Sequence, residues 1–288
     1  MVLAFAAIYV LWGATFLAIR IAVLEIPPLF TAGLRFFVAG SLLHVFMRLR
    51  GEPSPTAVEW RNCALIGLCM FVATYGPLFW AEQYVSSSVT SVIEASLPLT
   101  TVILEVFVFR RHPLQWRVLS GVGVGFLGIA LLLIKNDAQQ LALIPCVVVL
   151  AAGVAWSLGA VWSGQLSLPR SRPLTAGTQM MLGGGVLLAW SAAVGEMQPF
   201  PHMTLRAGLA LSYLIVFGSL IAYTAYVWLL GRTSATRVAS HAYVNPIVAV
   251  GLGYFAAGEI ITSRTVIAAI LVVASVFLIL SRATARAT

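Results

Sequence analysis

The chain has 288 residues, of which 60% are hydrophobic and only 9% are charged. Soluble domains carry about 25% charged residues, so this composition excludes a globular protein whose whole surface faces water. The net charge of +8 does not indicate a nucleic-acid partner, because the basic residues occur singly or in pairs at the ends of apolar runs and form no basic face with interleaved aromatic residues.

Apolar runs of spanning length follow one another along the chain, and each predicts one membrane-spanning helix of about 20 residues. The runs lie near residues 3–22, 28–47, 61–84, 88–109, 116–134, 142–162, 175–194, 205–230, 238–256 and 265–280. Short segments rich in proline, glycine or charge separate them, as is typical of turns. The sequence therefore predicts an all-α polytopic membrane protein with ten transmembrane helices.

The basic residues predict the orientation of these helices. If the N-terminus is cytoplasmic, the inner loops and the C-terminal tail hold 12 basic residues and the outer side holds four. Cytoplasmic loops of membrane proteins are enriched in Lys and Arg. Both termini are therefore predicted to be cytoplasmic.

The two halves of the chain resemble each other, at an offset of 144 residues that becomes 148 after a four-residue insertion. The matched pairs include Trp12 with Trp156, Tyr75 with Tyr223, Pro98 with Pro246, and Thr-Ala-Gly at 31–33 with Thr-Ala-Gly at 175–177. Five helices is an odd number, so the second copy must enter the membrane from the opposite side. The sequence predicts two inverted five-helix repeats, residues 1–137 and 138–288, around a site near the membrane midplane.

A polar stripe runs along the fourth predicted helix. Its members recur every three or four residues, which places them on one helical face; they are Ser87, Ser91, Glu94, Pro98, Thr101 and Glu105. Lipid would leave these groups unsolvated, so the stripe is expected to face a cavity. Glu94 is the strongest candidate site residue, either as the partner of a substrate ammonium or as a proton carrier, and a structural pair with Arg35 is the alternative.

Further candidate cavity residues are aromatic or polar side chains on other helices: Trp12, Tyr75, Phe79, Trp156, Tyr223, His241 and Asn245. His241 and Asn245 are four residues apart and share one helical face. The alternative for these two is that they satisfy neighbouring backbone groups. The alternative for the aromatic residues is ordinary core or lipid-facing packing.

Four other residues are predicted to shape the site. Pro98 and Pro246 are expected to break their helices and act as hinges, with a simple packing kink as the alternative. Arg35 is predicted to stabilise the fold through an ion pair or hydrogen bond. Glu105 is expected to form an ion pair with the basic residues at positions 110 and 111.

Motifs of enzymes are missing from the sequence. The Gly-x-Gly-x-x-Gly spacing at 123–128 follows no strand, so it does not predict dinucleotide binding. No metal-ligand spacing, nucleophile elbow or P-loop lysine motif occurs. The sequence predicts neither enzymatic activity nor a cofactor nor a metal site.

Four segments carry a resemblance to a known family: residues 11–20, the Leu-Arg-Phe at 34–36, the run from Pro98 to the Arg pair at 110–111, and Gly258-Glu259. They resemble the EamA-type drug/metabolite transporter superfamily, whose first, third, fourth, sixth, eighth and ninth helices typically line a central cavity. The first repeat has Arg-Arg where the second has Gly258-Glu259, so Glu259 is expected to be an interface residue.

The resemblance implies a secondary transporter of the cytoplasmic membrane that exports small organic metabolites by alternating access. Amino-acid exporters of the YddG type are prominent members, so amino acids are the expected substrates. The expected partners are this small-molecule substrate and the lipid bilayer, with no nucleic acid and with a monomer as the unit. The alternatives are a passive channel and an exporter of drugs or other metabolites.

Overall fold

The computed structural model describes residues 1–109, 116–133, 143–198, 203–233, 238 and 241–280. These residues form helices and connecting turns, and no strand occurs among them. The ten helical segments are α1 (Val2–Val23), α2 (Pro28–Leu49), α3 (Ala57–Ala81), α4 (Ser87–Val108), α5 (Trp116–Leu133), α6 (Leu143–Ser163), α7 (Arg172–Ala193), α8 (Leu205–Leu230), α9 (His241–Ala257) and α10 (Ser263–Leu280).

The all-helical prediction is confirmed within the described residues. Six of the segments, α1 to α4, α6 and α8, are long and apolar enough to cross a membrane. The number of crossings and the cytoplasmic placement of both termini stay predictions. The predicted repeat boundary after residue 137 lies outside the described residues.

Side-chain caps and prolines fix where several helices begin. Thr56 and Glu59 form a capping box at the start of α3, and Thr204 accepts a hydrogen bond from the Ala207 N–H at the start of α8. Each cap satisfies backbone N–H groups that have no partner inside the helix. Pro28 begins α2 and needs no such partner, because proline has no N–H.

Three helices contain a π turn: α3 at Leu68–Val72, α4 at Leu104–Val108 and α8 at Leu214–Ile221. Such turns widen the helix locally and are frequent at functional sites. The turn in α8 contains Gly218 and Ser219, whose backbone and side chain contact the candidate site. The fold thus places irregular backbone next to the predicted cavity.

Glycines let α2 and α7 pack backbone to backbone, which is one of the most extensive helix contacts of the protein. A Cβ at Gly33 would lie 2.8 Å from the Leu188 backbone nitrogen, and a Cβ at Gly177 would lie 2.7 Å from the His44 nitrogen. Only glycine permits such an approach. As the contacts on α2 move forward along the chain, those on α7 move backward, so the two helices run antiparallel.

Candidate functional site

A small cavity lies among α1, α3, α4, α6 and α9, with a volume of about 40 Å³. A cavity needs roughly 10–15 Å³ to hold one water, so there is room for a few waters and not for a metabolite. Seven of the predicted cavity residues line it: Trp12, Tyr75, Ser91, Glu94, Trp156, His241 and Asn245. The sequence-based set therefore converges on one place in the fold.

Five of the 15 residues that line the cavity carry aromatic rings. Trp12 lies at their centre, with ring centroids 4.9 Å from His241, 5.0 Å from Tyr226 and 5.8 Å from Trp156. The indole N–H of Trp12 donates to the Gly218 carbonyl, 3.0 Å away in the π turn of α8. Tyr226 was not among the predicted residues, although it lies three positions after Tyr223 and thus one helical turn away.

Glu94 lies at the end of the first part of α4 and is the acidic residue of the cavity. Its side chain is partly exposed to this space. Within the described part of the chain, its buried Oε1 atom has no hydrogen-bond partner. A Cβ at Gly153 of α6 would lie 3.4 Å from this atom, so α6 packs closely against the carboxylate.

The helix of α4 is interrupted directly after Glu94. Ala95 and Ser96 form a turn, and the next helical stretch, Leu97–Ile103, carries Pro98 in its first turn. Hydroxyl groups satisfy carbonyls near this interruption: the Leu97 carbonyl accepts from Thr101 Oγ1 at 2.8 Å and from Ser157 Oγ at 3.3 Å. The polar stripe of α4 thus contacts α6 on one side of the cavity.

The structure differs from the prediction at Pro246, because α9 runs through this residue without interruption. Proline has no N–H, so Pro246 removes one backbone hydrogen bond from α9 while the helix continues through it. The two equivalent prolines therefore have different local effects. The one at position 98 accompanies a break, and the one at position 246 does not.

His241 and Asn245 line the cavity and contact each other, with the Asn245 amide 3.1 Å from His241 Nδ1. In the orientation that satisfies both ends of the amide, its nitrogen donates to the backbone oxygens of His241 and Tyr9. Both sequence-based alternatives for this pair are therefore represented. The two side chains border the cavity and also satisfy the backbone of α9 and α1.

Arg35 is fully buried and lies against aromatic rings. Its Nε donates to Ser219 Oγ at 2.9 Å, and its guanidinium lies 4.6 Å from the ring centre of Phe36 and 5.2 Å from that of Tyr75. The contacts that the structure gives Arg35 do not include Glu94. Ser219 was missed by the sequence reasoning, because a serine in an apolar run gives no signal of its arginine partner.

Phe79 and Tyr223 were predicted to line the cavity and lie beside it instead. Phe79 is fully buried and packs edge to face on Tyr75, at 6.0 Å between ring centres. Tyr223 lies behind Trp156, with ring centres 6.2 Å apart. Its hydroxyl donates to Gln179 Oε1 at 2.7 Å, a partner on α7 that the sequence reasoning did not single out.

A second, larger cavity of about 520 Å³ lies on the other side of Tyr223. We call it the inner vestibule, because it opens between α6, α7 and α8 at the end that the basic residues predict to be cytoplasmic. Its polar lining includes Glu105, Arg172, Thr175 and Gln179. Glu105 is buried there, and its predicted partners at positions 110 and 111 lie outside the described residues.

The opposite end, which we call the outer end because of its predicted location, is closed by carboxylates that join the two halves. Glu259 accepts hydrogen bonds from the backbone N–H and hydroxyl groups of Ser87 and Ser88 at the start of α4. Glu196 accepts from the Phe30 N–H at 2.8 Å. Glu259 is thus in contact with the other half of the chain, as the sequence predicted for an interface residue.

A third carboxylate, that of Glu25, also joins the two halves at this end. Glu25 accepts a hydrogen bond from Thr204 Oγ1 at 2.5 Å, again across the two halves. Over the described ranges, no cluster of three or more His, Cys, Asp or Glu side chains is placed to hold a metal ion.

Comparison with known proteins gives one family. The profile of the EamA-like transporter family matches residues 1–134 and 143–281. The uncharacterized inner membrane transporter YedA of Escherichia coli K12 is 36% identical over 257 residues, covering 88% of this chain and 81% of its own. A probable amino-acid metabolite efflux pump of Salmonella typhimurium LT2 is 25% identical over 290 residues, covering 94% of this chain and 91% of its own.

The fold is also similar to that of a solved structure. One crystal structure aligns with a TM-score of 0.70 over 99% of this chain and 97% of its own, at 17% sequence identity. At this level of identity the likeness concerns the fold alone.

Proposed function

Because the chain belongs to the EamA-like transporter family, we propose that it is a secondary transporter of the cytoplasmic membrane that exports small organic metabolites, chiefly neutral and aromatic amino acids. The location is supported by six helices of spanning length and by the inner membrane relative from Escherichia coli. The substrate class is supported by relatives named as probable amino-acid metabolite efflux pumps. The observation that carries the proposal is a small central cavity with an acidic residue, which lies between an inner vestibule and an outer end where carboxylates join the two halves.

The proposed mechanism is alternating access between two inverted five-helix repeats, residues 1–137 and 138–288, with ten crossings and cytoplasmic termini. Helices α2 and α7 hold equivalent places in the two repeats, and their antiparallel packing is what an axis in the membrane plane produces. The π turns of α3 and α8 also fall at equivalent places. The two matched stretches of the family profile have nearly equal lengths.

The cavities favour a carrier over a channel. The inner vestibule has the volume of an ordinary small-molecule pocket, which is about 300–1,000 Å³. The central cavity is much smaller than such a pocket. The side chains of Trp156 and Tyr223 lie between the central cavity and the inner vestibule. A substrate would enter from the inner end, and the side chains of Trp156 and Tyr223 must move before the substrate reaches Glu94.

The lining of the cavity fits an amino acid with an apolar side chain. The carboxylate of Glu94 is suited to an ammonium group through a charge-assisted hydrogen bond. The rings of Trp12, Tyr75 and Trp156, which line the cavity, offer faces and edges to an aromatic side chain. With few other polar groups at hand, the site would accept a broad set of side chains and discriminate mainly through the ammonium group.

Counterflow in liposomes tests the function. Purified protein is reconstituted, the lumen is loaded with one unlabelled amino acid, and uptake of labelled neutral and aromatic amino acids is followed. A carrier accelerates uptake when the lumen is loaded, and a passive channel does not. Saturable counterflow supports the proposal, whereas its absence across a broad amino-acid panel contradicts amino-acid transport and directs the search to drugs or other metabolites.

The role of Glu94 is tested by Glu94→Gln, with Glu52→Gln in the connection between α2 and α3 as the matched control. Loss of a charged hydrogen bond to the ammonium should raise the KM for exchange at least tenfold, which corresponds to about 1.4 kcal/mol. The control should leave the KM unchanged. An unchanged KM in Glu94→Gln together with lost dependence on a pH gradient would assign Glu94 to proton binding instead.

A further inference from the structure

Glu82 is an acidic residue without a partner in the interior of the protein. It follows α3 directly, at the turn that leads to α4, and its side chain is fully buried. In the part of the chain that the structure describes, neither of its carboxylate oxygens has a hydrogen-bond partner. The nearby Arg20 guanidinium donates to the backbone carbonyl of Glu82 and not to the carboxylate.

The position of Glu82 is one helical turn from the central cavity, on its outer side. The Glu82 N–H bonds to the Leu78 carbonyl at 3.0 Å, and Leu78 lines the cavity together with Ile19, the neighbour of Arg20. Water that entered through an open outer end would therefore reach Glu82 before it reached Glu94.

The surroundings of Glu82 favour its neutral form while the outer end is closed. Burying an ionised carboxylate without a partner is strongly disfavoured, and the group takes up a proton instead. Burial raises the pKa of the Glu82 carboxyl well above its ordinary value; the positive charges of Arg20 and Arg35 oppose this, and the negative charges of Glu259 and Glu94 add to it. Among the described residues, these four are the charged groups that act on Glu82.

We propose that Glu82 is a proton-binding residue that controls the outer end: closing this end requires one proton from the outer solution, and opening it releases that proton. The proposal rests on the alternating-access function proposed above. The dependence of the outer end on protons follows from linkage, because the conformation that binds the proton more tightly gains population as the pH falls. An acidic outer solution therefore favours the closed outer end, and an alkaline one favours the open end.

A thiol-labelling experiment tests this in the full chain. In a background that lacks the three native cysteines, a reporter cysteine replaces Leu78, and a membrane-impermeant maleimide is added from the outer side of oriented vesicles. The same reagent on a cysteine at Leu24, which is exposed at this end, corrects for the pH dependence of thiol reactivity. We expect labelling of the Leu78 position to fall at least fivefold, relative to Leu24, as the outer pH is lowered from 8 to 5. This range lies above the pKa of a hydrated Glu, which is roughly 4.3, so only the buried form of Glu82 takes up a proton within it.

The variant Glu82→Gln imitates the protonated side chain without changing its size. Labelling at position 78 should then be low at every pH, while Glu52→Gln should behave like the parent chain. The same pH dependence with and without Glu82 would overturn the proposal. Infrared difference spectra between the parent chain and Glu82→Gln give a second readout. The band of a protonated carboxyl should grow as labelling falls. Absence of this band at every pH would also overturn the proposal.

The outcomes separate this proposal from the transport function. The labelling and infrared measurements need no substrate, so they report on Glu82 even where counterflow fails. A protein that shows counterflow with an outer end insensitive to Glu82→Gln would keep its proposed function and lose this inference. A protein with the expected labelling and no counterflow would keep the proton-controlled outer end and require another substrate.

Discussion

The indole rings of Trp12 and Trp156 meet edge to face at the central cavity, with ring centres 5.8 Å apart. These residues are equivalent in the two halves of the sequence, at an offset of 144. Such a meeting of equivalent residues is expected on an axis that relates two repeats. It places the two tryptophans where the halves would have to move relative to each other.

The tryptophan pair gives the first prediction. Trp156→Ala removes the ring from a packed aromatic cluster, and the expected loss is about 3–5 kcal/mol of stability. Trp156→Phe retains an aromatic edge and should lose much less. Thermal unfolding in detergent, followed by intrinsic fluorescence, gives the comparison, and equal melting temperatures for the two variants would contradict a packing role.

Arg35 and Ser219 give the second prediction. The Arg35 Nη1 atom already has no hydrogen-bond partner among the described residues, so Ser219→Ala would leave Nε without a partner as well. Hydrogen bonds to charged groups contribute about 1.5–3 kcal/mol, and a loss of this size is expected. Ser41→Ala, at a partly exposed position on α2, is the control and should leave the melting temperature unchanged.

Periodicity and self-comparison predicted about half of the residues that line the cavity, seven of 15. Both depend on local spacing: the stripe on α4 follows the helical repeat, and the tryptophan pair follows from the duplicated pattern. Seven predicted side chains do line one cavity. Of the two misplaced residues, Phe79 lies on α3 one turn after the lining residue Tyr75, and Tyr223 lies on α8, which supplies none of the lining; spacing alone resolves neither difference.

Tertiary contacts were beyond the reach of the sequence. Glu82 ends an apolar run, where an acidic residue is ordinarily part of an exposed loop, yet the outer end folds over it and buries it. The partner of Arg35 is supplied by Ser219, which is 184 positions away in the chain. At Pro246 the sequence did not show that the helix continues through the proline.

Glycine contacts between α2 and α7 give the third prediction, in which two Gly→Ala substitutions have opposite effects on the melting temperature. A Cβ at Gly40 would overlap the backbone of α7, and overpacking of this kind costs about 1–3 kcal/mol. A Cβ at Gly123 of α5 would meet nothing within 4 Å. Gly40→Ala should lower the melting temperature, whereas Gly123→Ala should leave it unchanged or raise it, because alanine is favoured over glycine in helices by up to about 1 kcal/mol.

Reversal of these two effects would show that the helix contact is looser than the structure indicates. A double variant, Gly40→Ala with Gly184→Ala, extends the test, because Gly184 packs on the backbone of Phe37 in the equivalent place. Its loss should be smaller than the sum of the two single losses, because Gly184 lies only three residues from the Met181 that Gly40 contacts, and both added methyl groups push the same two helices apart.

Glu259 gives the last prediction, which concerns the closed outer end. Its carboxylate accepts from both Ser87 and Ser88, at distances that include 2.9 Å to the Ser87 N–H and 3.1 Å to the Ser88 N–H. Glu259→Ala removes these acceptors from the contact between the halves and leaves the first turn of α4 dependent on Ser86 alone. Each lost interaction of about 1.4 kcal/mol shifts the balance between closed and open forms tenfold, so the open form should gain population.

Spin labels measure this shift. Cysteines at Leu24 and Ile260, both exposed at the outer end, carry the labels, and pulsed electron resonance gives the distribution of distances between them. In Glu259→Ala the distribution should gain a longer component, and Glu52→Ala at the inner end should not change it. An unchanged distribution in Glu259→Ala would mean that Glu25 and Glu196 hold the two halves together without it, and the double variant with Glu25→Ala would then have to show the longer component.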